Sequence, residues 1–392
     1  MRKVYLDHGA TTPVREEVIE AMMEIYRDVP GNPSSVHQFG RLAKKRLEEA
    51  RQQVATAIGA EPKEIIFTGS GTEADNIAIL GTARFMAKQN KGKHIITSAV
   101  EHHAVLDTCK ELAKEGFEVT VLPVDEDGLV SIDSVKQALR DDTILVTIMH
   151  ANNEVGTIQP IAEIGALLKD HQAIFHTDAV QTVGKIPVDV KELGVDLLAL
   201  SAHKLYGPKG VGALYIRKGV RVQPLMAGGG QERKIRPSTE NIAGIIGLAK
   251  AIQLAVENLV EEKQRLETLR DKLATALLST VPATKLNGHP VKRLPHNMNI
   301  SFEYIEGEAL ILSADMKGIA VSSGSACTSG SLDPSHVLMA MGLSHQTAHG
   351  SLRMTLGRDT TDEDIDYVVQ ELQVIAERLR AMSPVWEKRD QQ

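Results

Sequence analysis

Two segments place a chemically useful side chain at the end of an apolar run. Ser201-Ala202-His203-Lys204 follows directly on the run 195–200. A buried strand that delivers a lysine to its C-terminal end is unusual, because lysine is almost never buried without a partner. Desolvation lowers the pKa of such an amine and frees it to form a Schiff base. Taken alone, Lys204 is as readily a surface lysine at a strand end. Phe175-His176-Thr177-Asp178-Ala179 does the same with an acid. Pyridoxal phosphate acts as an electron sink when a carboxylate pairs with its pyridinium nitrogen. Ligands of open α/β sheets bind outside the carboxyl ends of the strands, so Asp178 and Lys204 could converge on one ring. The plainer role for Asp178 is a helix N-cap.

Two further segments complement these. Gly69-Ser70-Gly71-Thr72-Glu73-Ala74 fits the loose pattern G-x-G-x-x-A. Small residues admit the backbone to an anion, and a helix N-terminus offers free N–H groups and the positive end of the helix dipole. The segment is a candidate phosphate site, although Thr72 N-capping an ordinary helix explains it equally well. The run from Val321 to Gly330 is almost all Gly, Ser, Ala and Thr, too small to pack well. Residues 322–330 are therefore expected to form a mobile loop, with Cys327 exposed enough to work as a thiolate. Cys109 lies in an apolar helical run between Leu106 and Leu112 and reads as buried and inert. His102-His103 follow a strand and Glu101. With no H-E-x-x-H or C-x-x-C spacing, no intrinsic metal site is expected, and a capping or surface histidine is the plainer role.

The elements that must position these residues alternate. Short β-rich runs at 64–68, 94–97, 119–123, 143–149, 173–176 and 197–200 are separated by helical runs. Continuous apolar strands are those covered by helices on both faces, so the pattern predicts a mostly parallel α/β sheet. From about Asn241 the apolar residues Leu248, Ile252, Val256, Leu259, Leu266, Leu269, Leu273 and Leu277 recur at helical spacing, which predicts one long amphipathic helix. Beyond it, strands near 299–302 and 352–356 and a last helix through Ile365, Val368, Leu372 and Ile375 suggest a smaller α/β domain.

Composition excludes several classes. With 392 residues, about two domains are expected. A 42% hydrophobic share is ample for a core, and 44 basic against 51 acidic residues draw the chain to neither nucleic acid nor an anionic membrane. The short run Arg233-Lys234-Ile235-Arg236 reads as a solvated loop. Two cysteines argue for a reducing compartment, no apolar leader precedes Asp7-His8, and a cytoplasmic protein is expected.

Together these segments resemble the cysteine desulfurases of iron–sulfur-cluster assembly, which have the fold-type I pyridoxal-phosphate architecture. The resemblance covers nearly the whole chain. It includes Tyr5-Leu6-Asp7-His8-Gly9-Ala10-Thr11-Thr12-Pro13, Gly31-Asn32-Pro33-Ser34-Ser35, Met149-His150-Ala151-Asn152-Asn153-Glu154 and Leu352-Arg353. Ser323-Gly324-Ser325-Ala326-Cys327-Thr328-Ser329 is similar to the first, long-loop class. The resemblance implies a large domain over 16–260 with a mostly parallel seven-stranded sheet. A small domain from 1–15 and 261–392 would carry the loop 322–330.

The resemblance also implies roles. Lys204 would form the Schiff base and shuttle protons, Asp178 would pair with the pyridine nitrogen, and Gln181 would bond the ring hydroxyl. His102 would stack on the ring and serve as acid–base. Gly71, Thr72, Ser201 and His203 would hold the phosphate, joined by Thr239 from a neighbouring subunit, which implies a homodimer. Asn153, beside the cofactor, and Arg353 would hold the carboxylate of L-cysteine, a task suited to a bidentate guanidinium. Cys327 would take the sulfur as a persulfide, leave alanine, and pass the sulfur to an iron–sulfur scaffold protein or a tRNA-thiolation acceptor. Any metal contact of Cys327 would be a transient one, to a cluster shared with a scaffold. The family often has alanine where this chain has Gly71, and many members carry a longer C-terminal tail that docks a scaffold. The alternatives are a selenocysteine lyase or another pyridoxal-phosphate cysteine or cystine lyase, a nicotinamide dehydrogenase built on 69–74, and an inactive sulfur-transfer subunit.

Overall fold

The computed structural model describes residues 2–323, 334–383 and 386. Among them are twelve strands: Val4–Tyr5 (β1), Ile65–Thr68 (β2), His94–Ser98 (β3), Glu118–Leu122 (β4), Thr143–Thr147 (β5), Ile174–Asp178 (β6), Leu197–Ser201 (β7), Gly212–Ile216 (β8), Thr284–Asn287 (β9), Asn297–Phe302 (β10), Ile319–Ala320 (β11) and Ser351–Thr355 (β12).

Seven of them form one sheet in the order β2-β8-β7-β6-β5-β3-β4. The pairs of β3 with β4 and β5, of β5 with β6, and of β6 with β7 are parallel, and β8 runs against both its neighbours. Residues of β3, β5, β7 and β8 are buried throughout, as continuous apolar strands between helix layers must be. Strand β8 was not assigned from sequence, because Gly212 stands in a glycine-rich stretch. A Cβ at Gly212 would lie 2.7 Å from both the Leu200 carbonyl oxygen and the Ser70 carbonyl carbon. The glycine allows close approach inside the sheet and marks no turn.

A three-stranded antiparallel sheet, β12-β10-β9, and the parallel pair β1-β11 form a second body of structure. One hydrophobic cluster joins Phe67, Val146, Phe175, Leu198 and Leu200 with Leu248 and Ile252. Another joins Val4 and Leu6 with Leu266, Leu273, Met298, Ile300, Leu352 and Leu372. The long helix expected across 241–277 is two helices, Ile242–Glu257 and Leu259–Thr280, bent by 73°. The apolar spacing runs through the break because each half faces its own cluster. At the break Val260 is 79% exposed, and Asn258 bonds back to the Leu254 carbonyl. Among the described residues, no single helix is long and apolar enough to cross a membrane.

Candidate active site

Adjacent parallel strands place the first pair. Asp178 closes β6 opposite Ala199 of β7, and Lys204 lies in the single 3-10 turn Ala202–Lys204 just past the end of β7. Both line a cavity of about 320 Å³, at the strand ends where open α/β sheets bind ligands. The same lining contains Gly71, Thr72, His102, Asn153, Gln181, Ser201, His203 and Arg353. One residue named from sequence is not brought there, and another lies outside the described residues. Thr239 is exposed and lies outside this chain's own cavity. Cys327 and residues 324–330 of its segment lie outside the described residues.

A strap formed by the opening motif holds the lysine. Lys204 Nζ donates to the carbonyls of Gly9 and Ala10 at 2.6 and 2.7 Å, and Gln181 Nε2 donates to Gly9 at 3.1 Å. The hydroxyl of Thr12 donates to the His203 carbonyl and accepts from the Tyr206 N–H. Tyr206 stands in the left-handed region at φ 64°, backbone that persists only where its surroundings hold it.

At the end of the cavity lined by Ser70, Gly71 and Thr72 the helix Gly71–Lys88 begins, and its cap is Ser70, which accepts from the Glu73 N–H. The expected capping role of Thr72 is thus taken by Ser70. Thr72 lies one position inside the helix, among first-turn N–H groups that have no carbonyl within the helix. A Cβ at Gly71 would lie 2.6 Å from Val180 Cγ2, so glycine replaces the family's alanine where Val180 packs close.

His102 caps the helix His103–Lys114, accepting from the Ala104 N–H at its Nδ1. Capping and facing the cavity are therefore compatible roles. Burial lowers its pKa, so the ring is neutral at pH 7, and an accepting Nδ1 leaves the proton on Nε2. Burial likewise pulls His203 down to about 4.

Asp178 is 7% exposed and accepts from the Val180 N–H at 2.9 Å. Burial raises its pKa, against the opposing pull of His102 and Lys204. Asp75, which also lines the cavity, is raised well above the usual range by burial and by the nearby Asp178 and Glu101. Glu101 is pushed up to about 8 by burial. Asp75 was missed from sequence because an acid early in a helix is ordinary. Only the packing of that helix on the sheet turns it inward. Asp75 Oδ1 lies 3.4 Å from the buried Nε2 of His176.

The far wall comes from the second sheet. Arg353 on β12 is 2% exposed. Its Nη2 pairs with Asp7 at 3.0 Å, its Nη1 reaches the Asn153 carbonyl at 3.3 Å, and its Nε has no partner among the described residues. A buried guanidinium with an unused donor suits a carboxylate. Ser322 exchanges backbone hydrogen bonds with Arg353 in both directions. On the other side of the undescribed segment, Ser335 bonds Glu154 and His336 bonds the Glu101 carbonyl. Cys109, by contrast, is 2% exposed, and burial pushes its thiol up to about 12. Among the described residues no group of His, Cys, Asp and Glu could hold a metal ion.

The donor set fits pyridoxal phosphate. A primary amine and a buried carboxylate face one cavity, a helix N-terminus with Thr72, Ser201 and His203 offers an anion site, and an arginine stands opposite. The aminotransferase class-V family matches residues 4–368. A curated relative from Methanosarcina thermophila named cysteine desulfurase IscS is 56% identical over 387 residues, covering 99% of this chain and 95% of its own length. A solved NifS-like protein superposes with a TM-score of 0.90 at 40% identity, over 96% of this chain and 100% of that one. A structure of SspA in complex with cysteine has a TM-score of 0.80 at 37% identity, over 90% of this chain and 99% of that one. The chain accordingly belongs to the class-V aminotransferase family, pyridoxal-phosphate enzymes of fold type I, and within it to the class I cysteine desulfurases.

Proposed function

We propose that the protein takes sulfur from L-cysteine, releases L-alanine, and carries the sulfur as a persulfide on Cys327 to an acceptor of iron–sulfur-cluster assembly. The observation that carries this reading is one cavity whose lining brings Lys204 and Asp178 together with Arg353. When bound, pyridoxal phosphate supplies an electron sink for the charge left at the substrate Cα. Lys204 Nζ moves the Cα proton. Asp178 would pair with the cofactor's ring nitrogen, and a proton held there would offset the burial that raises the pKa of its carboxyl. His102, neutral with its proton on Nε2, would offer the cavity a hydrogen-bond donor. Thr72, Ser201 and His203 would hold the phosphate, and Gln181 the ring hydroxyl. Arg353 shares its charge between Asp7 and the substrate carboxylate, with Asn153 beside it.

The Cys327 thiolate attacks the substrate sulfur. An S–S bond forms as the C–S bond breaks, and the electron pair stays on carbon, which takes a proton. The substrate carbon is thereby reduced to the methyl of alanine while the two sulfurs of the new S–S bond are each oxidised by one electron, so no outside oxidant is needed. The tethering of Ser322 to Arg353 and of Ser335 to Glu154 supports a segment anchored beside the substrate site.

The reading extends to a cytoplasmic homodimer, in which Thr239 of one subunit reaches the phosphate bound by the other. Exposed Tyr26, Val36, Phe39 and Met226 are consistent with a covered face. It also takes residues 16–260 as one domain and 1–15 with 261–392 as the other, supported by the two hydrophobic clusters.

Cys327→Ser provides the test. The cofactor's visible absorbance should be retained and sulfide release from L-cysteine with reductant should be lost. Sulfide release at the parent rate would remove Cys327 from the mechanism.

A further inference from the structure

The segment bearing Thr239 contains the one run of consecutive left-handed residues among the described residues. Glu232, Arg233 and Lys234 have φ of 39°, 55° and 66°, and Ser238 follows at 97°. Side chains with a Cβ rarely adopt this region, and such backbone persists only where neighbouring structure over-determines it.

Two anchors do so. Glu232, 6% exposed, accepts from Nη1 and Nη2 of Arg51 at 2.8 and 2.7 Å and from the Phe67 N–H at 2.8 Å. Arg51 is itself buried, with its guanidinium 4.8 Å from the Phe67 ring. This first anchor ties the segment to the helix Gln38–Ala57 and to strand β2. Four residues on, Arg236 Nε donates to Glu73 Oε1 at 2.9 Å, while Glu73 Oε2 accepts the Gly69 N–H at 2.6 Å. The second anchor therefore sits on the subunit's own phosphate turn. Burying a bidentate ion pair has a desolvation cost that plain loop stability does not require. Past both anchors, Thr239 is left pointing at nothing in its own cavity: it is exposed and absent from the lining.

We propose that Glu232 and Arg236 are positioning residues, a two-point clamp that holds residues 231–240 on their own subunit so that Thr239 stands in a fixed place for the partner subunit's cofactor phosphate. The proposal rests on the homodimer reading above. It adds that each subunit's phosphate turn is mechanically joined, through Glu73 and Arg236, to the loop serving the other site.

The test uses mixed full-length dimers in which one subunit carries Lys204→Ala, isolated with two different affinity tags and titrated with pyridoxal phosphate. Borohydride then fixes cofactor only to the subunit that keeps Lys204, and intact mass counts it. Arg236→Ala in the Lys204→Ala subunit is expected to raise the half-saturating cofactor concentration about fivefold. In the Lys204-bearing subunit the same change should stay within about twofold, because Glu73 keeps its bond from Gly69. Glu232→Gln, which preserves side-chain shape, should show the same asymmetry, and the surface change at Arg236 decides the matter if that variant does not fold. Equal effects in the two arrangements would overturn the clamp. So would no effect across subunits where Thr239→Ala does weaken binding there. If doubly tagged dimers cannot be isolated, the homodimer reading fails; if they form and Thr239→Ala has no effect across subunits, the reach of Thr239 to the partner's phosphate fails, and the clamp with it.

Discussion

The two walls of the cavity are built in different ways. On the cofactor wall, Asp178 and Lys204 come from neighbouring parallel strands, and the register of β6 with β7 sets their separation. On the substrate wall, Arg353 comes from β12 of another sheet and meets the first wall through the N-terminal strap and, at its Nη1, through the Asn153 carbonyl. Asp7 pairs with Arg353, the Gly9 N–H donates to the Thr355 hydroxyl, and the Gly9 carbonyl accepts from Lys204 and Gln181. One wall is thus fixed by a ladder of backbone hydrogen bonds. The other is fixed by a short segment that touches both sheets. Cofactor binding and substrate binding should therefore be separable by substitution.

Lys204→Ala should break the first wall most severely. Turnover should fall by at least about 10³-fold, since the group that moves the Cα proton is gone. Steady-state alanine production measures it, and turnover near the parent rate would shift the proton-moving role elsewhere. Arg353→Lys should break only the second wall. A single ammonium cannot reproduce the fork, so KM for L-cysteine should rise about tenfold or more while cofactor affinity holds. Equal losses of both would mean that the walls are not separable.

Glu101→Gln probes the buried carboxyl behind the cofactor wall. With its folded pKa near 8 against an ordinary 4.5, Glu101 holds a proton in the folded state that the unfolded chain has released between those limits. Its contribution to stability therefore falls as pH rises through that window, and glutamine has no such proton to lose. The variant should gain on the parent by on the order of 1–3 kcal/mol between pH 5 and pH 8, read from denaturant midpoints. A difference independent of pH would place an ionised Glu101 in the fold. The smallest effect is expected at Cys109→Ala, which removes one buried sulfur. A loss of about 1 kcal/mol and unchanged sulfur transfer would fit its inert placement.

What the sequence made legible follows the same division. Lys204 and Asp178 could be read because a polar side chain ending an apolar run is locally unusual. Thr12, Asp75 and strand β8 could not be read as they stand. The two hydrogen bonds of Thr12 reach residues 203 and 206, Asp75 faces inward only because of how its helix packs, and the glycine of β8 suggests a turn until Leu200 lies against it. The break at Asn258 was hidden because apolar spacing continued across it while the face being buried changed. The motif 5–13 was recognisable as a resemblance, but its work as a strap is a long-range property that no local pattern carries.

The central claim is that sulfur leaves L-cysteine onto Cys327. One equivalent of L-cysteine added to the cofactor-loaded protein without reductant, followed by mass analysis of the peptide containing Cys327, tests it directly. One added sulfur atom is expected on that peptide, removable by a thiol reductant, together with one alanine per sulfur gained. Alanine formed with the Cys327 peptide unmodified would contradict it.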